Sequence, residues 1–178
     1  MTILPIITAP DPILKQKSLP IEKVDEKIRA LMDNMLKTMI HDGGAAGLAA
    51  VQVGVLKRVM VLDLQNDDET VRPEGFYPLY IANPVVIRHS EEMVTAFEGC
   101  LSVPEQRIEV PRPEEVTIQY LDYDNNKKFI SADGWLARVI QHEMDHLDGK
   151  LLIDYLSSVK KDVVLRKLQK LKKFSKAS

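Results

Sequence analysis

Two histidines four residues apart, with a glutamate after the first, stand out in this 178-residue chain as groups able to do chemistry: His142-Glu143-Met144-Asp145-His146. On a helix, residues four apart share a face, with about 5–6 Å between their Cβ atoms. Two imidazoles so placed can share one divalent ion, at about 2.0–2.1 Å each for zinc. Glu143 sits about 100° round the helix, as 3.6 residues per turn require, so its carboxylate reaches a water beside the ion without being a ligand. An ion of this kind lowers the pKa of its water from 15.7 to about 7, and the glutamate can take the proton. The competing reading is an ordinary amphipathic helix, with Leu136, Val139, Ile140 and Leu147 as its buried face and the histidines incidental. Asp145 falls on another face and is expected at the surface or supporting the site. His41 and His89 have no ligand-like spacing and read as surface or loop histidines.

A catalytic site of this type needs a third protein ligand and one open position. In one protease pattern Gly149 is in place but the third histidine position is Leu152; in another the ligand is a downstream glutamate, and no glutamate follows Glu143. The upstream candidate is Glu98-Gly99-Cys100-Leu101-Ser102, where a glycine permits close backbone approach. A thiolate there makes a centre that accepts Fe²⁺, Zn²⁺, Ni²⁺ or Co²⁺. Cys100 is otherwise a buried apolar filler, or a nucleophile with one of the histidines as its base. The last reading leaves Glu143 without a task.

The elements that must position these groups follow from hydrophobic periodicity. Ile28, Leu31, Met32, Met35, Met39 and Ile40 recur at helical spacing and predict an N-terminal helix over 25–41, capped by Asp25 and ended by Gly43 and Gly44. Strands are expected at 58–64, 79–87, 93–97, 107–110, 116–123 and 128–131, with a polar loop over 65–75. In 116–123, Val116, Ile118 and Tyr120 share one face. Asp133 is placed to cap a second helix running to about Leu147. A basic helix is expected over 157–176. Strands cluster between helices instead of alternating with them. This predicts an α+β fold, with antiparallel β-sheets packed around a central helix carrying the histidines, plus an N-terminal and a C-terminal helix.

With 45% hydrophobic and 28% charged residues, the composition is that of a globular protein, and 178 residues suit one catalytic domain over 1–178. A formal net charge of -2 gives no whole-molecule reason to expect nucleic acid. The single cysteine excludes an internal disulfide and fits a reducing, cytoplasmic setting. Pro5, Pro10 and Pro12 interrupt the N-terminal residues, which make a poor signal peptide, and no run suffices for a membrane span. Nothing points to an obligate oligomer, so a monomer is expected.

Three segments together resemble the motifs of the peptide deformylases, in order and spacing: Gly47-Leu48-Ala49-Ala50-Val51-Gln52, Glu98-Gly99-Cys100-Leu101-Ser102 and Gln141-His142-Glu143-Met144-Asp145-His146. The resemblance extends to 3–20, to Pro104-Glu105-Gln106-Arg107 and to Gly149-Lys150-Leu151. It looks like the bacterial form with a C-terminal helix and covers nearly the whole chain.

The resemblance implies hydrolysis of the N-formyl group from the initiator methionine of nascent polypeptides, releasing formate. It implies that Cys100, His142 and His146 hold one divalent ion, Fe²⁺ by preference, and that Glu143 is general base and acid. Gln52 and the backbone N–H of Leu101 would hold the formyl oxygen, an oxyanion-hole arrangement. Ala45, Ala46, Gly47, Glu98, Gly99, Arg107, Trp135 and Val139 would contact substrate. Gly47, Ala49 and Ala50 leave room for a substrate backbone to pair as an added strand. Arg138 falls on the same wall and is expected to turn outward. Two departures stand in the first motif: Ala45 where the family has glycine, and Val51 where proline or threonine is common. Ala45 would restrict the loop if that position needs φ > 0; altered substrate positioning is expected, not lost activity.

From Lys160 to Lys176 the chain carries eight Lys or Arg and one acid, Asp162, while Val164, Leu168 and Leu171 form an apolar side. Such a helix either packs on the domain with a solvated outer face or binds anionic lipid or RNA phosphates. The resemblance favours ribosomal RNA.

Overall fold

The computed structural model describes residues 2–43, 45–64 and 71–177; Gly44 and the first part of the expected 65–75 loop lie outside them. The N-terminal helix is α1, Glu26–His41. Asp25 caps it, its carboxylate accepting from the Ile28 N–H at 3.0 Å. Ile28, Met32, Met35 and Met39 are buried, but Ile40 is 60% exposed and does not belong to the apolar stripe. It precedes the helix end, where Gly43 takes a positive φ of 105°.

Among the described residues seven strands follow: β1 Gly47–Ala49, β2 Val59–Leu62, β3 Leu79–His89, β4 Met93–Cys100, β5 Val103–Pro113, β6 Val116–Leu121 and β7 Lys127–Ala132. Five make an antiparallel sheet in the order β1-β2-β3-β6-β7, and β4 and β5 form a separate antiparallel pair. The histidine-bearing helix is α2, Gly134–Leu147, and the basic helix is α3, Ser158–Ala177. Asp133 stands at the start of α2, but its side chain makes no capping hydrogen bond there.

All four residues of β2 are buried because both faces of the sheet are covered. Met60 and Leu62 face a core shared with Leu136, Ile140 and Leu147 of α2. Val59 and Val61 point the other way, onto Met32, Met35 and Met39 of α1. A third core joins Val103, Ile108 and Val110 of β5 to Leu14, to Leu152 and Ile153, and to Leu168 of α3. The fold is thus α+β, with antiparallel sheets around α2. Among the described residues no helix is long and apolar enough to cross a membrane.

Candidate metal centre

Two periodicities meet at the site. On α2, Arg138, His142 and His146 lie one helical turn apart along one face. On β4, Glu98 and Cys100 are two apart and project to the same side, with Gly99 at a break in the register between them. Docking the strand against the helix sets Glu98 opposite His142 and Cys100 opposite His146. The Cys100 Sγ stands 3.2 Å from His146 Nε2. The ligand atoms of Cys100, His142 and His146 all lie within 4.8 Å of one another. Donors bonded to one ion at about 2.0–2.3 Å stand roughly 3–4 Å apart, so this cluster fits a single divalent cation.

The two rings are held differently. His142 Nδ1 lies 2.8 Å from Glu98 Oε2, which turns Nε2 toward the site. Glu98 is 2% exposed and doubly clamped. Its Oε1 accepts from Arg112 Nε at 2.6 Å and from an Arg138 terminal nitrogen at 2.8 Å; its Oε2 accepts from a second Arg112 nitrogen at 2.9 Å. Burial would push the Glu98 carboxyl up, but the bonds from Arg112 and His142 bring it down to about 2, so it is an anion. Burial holds His146 well below its ordinary value, with the neighbouring His142 and Arg112 pushing the same way. Its Nδ1 is buried without a hydrogen-bond partner among the described residues.

Glu143 is buried beside these rings, its Oε1 4.0 Å from His142 Nε2. Burial, the largest effect, raises its carboxyl to about 7, a value suited to taking and returning a proton near neutrality. Its Oε2 is buried with no hydrogen-bond partner among the described residues. Gly47 explains how this carboxylate fits: a Cβ on Gly47 would lie 2.6 Å from Glu143 Oε1 and 2.8 Å from its Cγ. The glycine is there for close approach, and β1 is the edge strand of its sheet.

Gln52, 2% exposed in the 3₁₀ turn Ala50–Val53, is fixed at both ends of its amide. Its Oε1 accepts from the Ala49 N–H at 2.8 Å, and its Nε2 donates to Ser102 Oγ at 3.1 Å and lies 3.6 Å from Cys100 Sγ. Ser102 in turn donates to the Ile7 carbonyl at 2.7 Å. This relay sets which end of the amide faces the cysteine.

An open cavity of about 810 Å³ lies over these groups. Ala45, Ala46, Gly47, Gln52, Glu98, Gly99, Cys100, Leu101, Arg107, Trp135, Val139, His142 and Glu143 all line it, so the residues singled out from the sequence converge, with His146 just beneath. Ala45 is not among the described non-glycine residues of positive φ, so its methyl group does not strain the loop. Arg138 corrects an expectation. It is turned inward and 6% exposed, bonded to Glu98 and to two strand carbonyls. Asp145 supports the site, accepting from Arg112 at 2.9 Å and from the Tyr155 hydroxyl at 2.7 Å. Arg112, Tyr155 and the part played by Ser102 were not visible in the sequence; only Ser102 carried a signal, its place two residues after Cys100.

Comparison with known proteins agrees with this geometry. Residues 3–162 match the family model described as polypeptide deformylase. Peptide deformylase 1 of Rickettsia conorii is 63% identical over 172 residues, covering 97% of this chain and 98% of that protein. A peptide deformylase of Orientia tsutsugamushi is 53% identical over 176 residues, covering 97% of each. Among solved structures, the Ehrlichia chaffeensis peptide deformylase aligns with a TM-score of 0.89 at 44% identity, over 97% of this chain and 98% of that one. A second structure of the Ehrlichia enzyme, in complex with actinonin, has a TM-score of 0.88 at 45% identity, over 96% and 98%. The chain belongs to the peptide deformylase family and is an enzyme of that kind.

Proposed function

We propose that the chain, as one catalytic domain, removes the formyl group from the N-terminal formylmethionine of nascent polypeptides in the cytoplasm, with Glu143 as the proton carrier. The observation that carries this reading is the convergence of Cys100, His142 and His146 beneath a cavity whose wall holds a buried carboxylate and a fixed amide donor.

Cys100, His142 and His146 would hold a divalent ion, which when bound would supply Lewis acidity to the formyl carbonyl and the attacking water. Fe²⁺ is the proposed native ion; the same donors accept Zn²⁺, Ni²⁺ and Co²⁺. Glu143 takes the water's proton as its oxygen bonds to the formyl carbon. Gln52 Nε2 and the Leu101 N–H donate to the formyl oxygen as it gains negative charge. The Gln52 amide gives up its long 3.6 Å contact to Cys100 for this, while the bond to Ser102 holds it in place. Glu143 then delivers its proton to the departing amine as the C–N bond breaks, yielding formate and a free amino terminus.

The substrate backbone is proposed to lie along the open edge of β1, where Ala45, Ala46 and Gly47 face the cavity. The methionine side chain goes to the wall of Trp135 and Val139, with Glu98, Gly99 and Arg107 completing the surround. The direct test is formate release from formyl-Met peptides by the full chain reconstituted with metal. Formate without internal peptide cleavage is expected; internal cleavage would indicate a peptidase.

The C-terminal helix supports a place near the ribosome. Leu168 is buried, and Lys161 and Lys172 turn back to Asp154 and Asp11. Lys160, Arg166, Lys167, Lys170 and Lys173 remain exposed for ribosomal RNA. Salt-sensitive co-sedimentation of the monomeric chain with ribosomes, lost on truncation before Lys160, is expected; equal pelleting of both would exclude it.

A further inference from the structure

Arg138 is a long cation buried within the helix that carries both histidines, and nothing in the proposed reaction uses it. Its guanidinium spans the joint between α2 and the β4–β5 pair. One terminal nitrogen donates to Glu98 Oε1 at 2.8 Å and to the Val110 carbonyl at 2.9 Å; the other donates to the Val94 carbonyl at 2.7 Å. It therefore touches both strands and the carboxylate between them from a position one turn before His142.

The other arginine on Glu98 ties the same elements together from the strand side. Arg112 belongs to β5 and reaches α2 at Asp145, at 2.9 Å, a residue that does not share the histidines' face; it also lies 3.3 Å from the Tyr155 hydroxyl. The three metal ligands are divided between bodies, Cys100 on β4 and the histidines on α2. Their convergence depends on the distance between strand and helix. Besides His142 itself, Arg138 is the residue of the histidine-bearing face of α2 that bonds Glu98, two residues from Cys100 on the strand. It also balances charge: Glu98 and Asp145 are two buried or half-buried carboxylates, and Arg112 and Arg138 are two cations beside them.

We infer that Arg138 is a positioning residue of the metal centre, acting through Glu98 to hold His142 and the β4 cysteine at binding distance. The inference rests on the metal-centre reading above. Supporting residues of this kind typically change metal affinity 10–100-fold.

The test uses the full chain loaded with Co²⁺, whose visible spectrum reports thiolate and imidazole ligation, and follows Co²⁺ transfer to a chelator. In Arg138→Met, Co²⁺ release is expected to quicken about 10–100-fold with a changed ligand-field spectrum. Arg138→Lys, which keeps a cation able to reach Glu98, should recover part of the loss. In a Glu98→Gln background the same Arg138 substitutions should add little, since the effect passes through that carboxylate. If Arg138→Met does not fold, Arg138→Lys in the two backgrounds completes the comparison. Co²⁺ release within twofold of the parent, with only thermal stability lowered, would overturn the inference, as would equal effects in both backgrounds. A parent chain showing no thiolate–Co²⁺ band would instead sink the metal-centre reading itself.

Discussion

The two sides of the site are built from different materials. On the α2 side, Glu98 is gripped by two arginines and holds a histidine, all of them buried. On the β1 side, Gln52, Ser102 and the Ile7 carbonyl form a relay of neutral dipoles. The difference follows from what each side must do. A ligand ring must stay in one tautomer and one place, and charge-assisted bonds secure it. The donor proposed to hold the formyl oxygen needs a contact it can give up, and the 3.6 Å contact of Gln52 to Cys100 is long and weak. Charge fixes the metal side, while the neutral side keeps a donor to give.

Substitutions can break the comparison on either side. Of the two sides, the neutral one is expected to show the larger effect. Gln52→Ala should lower kcat about 10²–10³-fold with metal content unchanged, whereas Ser102→Ala, which frees the amide without removing it, should cost less. Steady-state kinetics with metal analysis separates the two; a larger loss in Ser102→Ala would mean the serine itself acts on substrate. Gly47→Ala forces Glu143 aside, and a displacement of about 1 Å is enough for a roughly 10²-fold loss of turnover. Retained activity there would show that the Glu143 side chain has another productive place to sit.

On the charged side, Glu98→Gln should weaken metal binding about 10–100-fold, read by chelator competition. The same carboxylate gives a pH signature. Its folded value, about 2, is depressed below the ordinary 4.5. Its stabilisation is therefore present above about 4.5 and is lost as pH falls from there toward 2. Thermal melts should show a shallower acid slope in Glu98→Gln than in the parent; parallel curves would assign the acid sensitivity elsewhere. Glu143 runs opposite, raised to about 7, so its protonated form favours folding and that contribution fades as pH rises from 4.5 through 7. In the proposed reaction Glu143 acts in its ionised form, and a bound cation would draw the value lower. The acid limb of kcat/KM should thus have its midpoint at or below about 7.

What the sequence made legible is what is local. His142, Glu143 and His146 lie within one helical turn, and the buried residues of α1 repeat at helical spacing. Cys100, Gln52 and Leu101 could be named because they sit in short motifs. The charged network could not, because its bonds cross between elements: Glu98 to Arg112 on the neighbouring strand, Glu98 to Arg138 on a distant helix. An arginine on a cavity wall is expected to seek water, and Arg138 does the reverse because three acceptors await it inside. β1 was legible only as a row of small residues, since three residues are too few for periodicity to show.

On the proposed mechanism Glu143 moves the proton at a centre held by Cys100, His142 and His146. Formate release by Glu143→Ala, measured together with bound metal per chain, tests it most directly. Metal content equal to that of the parent, with turnover lowered about 10²–10⁴-fold, is the expected result. Undiminished formate release with full metal would contradict the account.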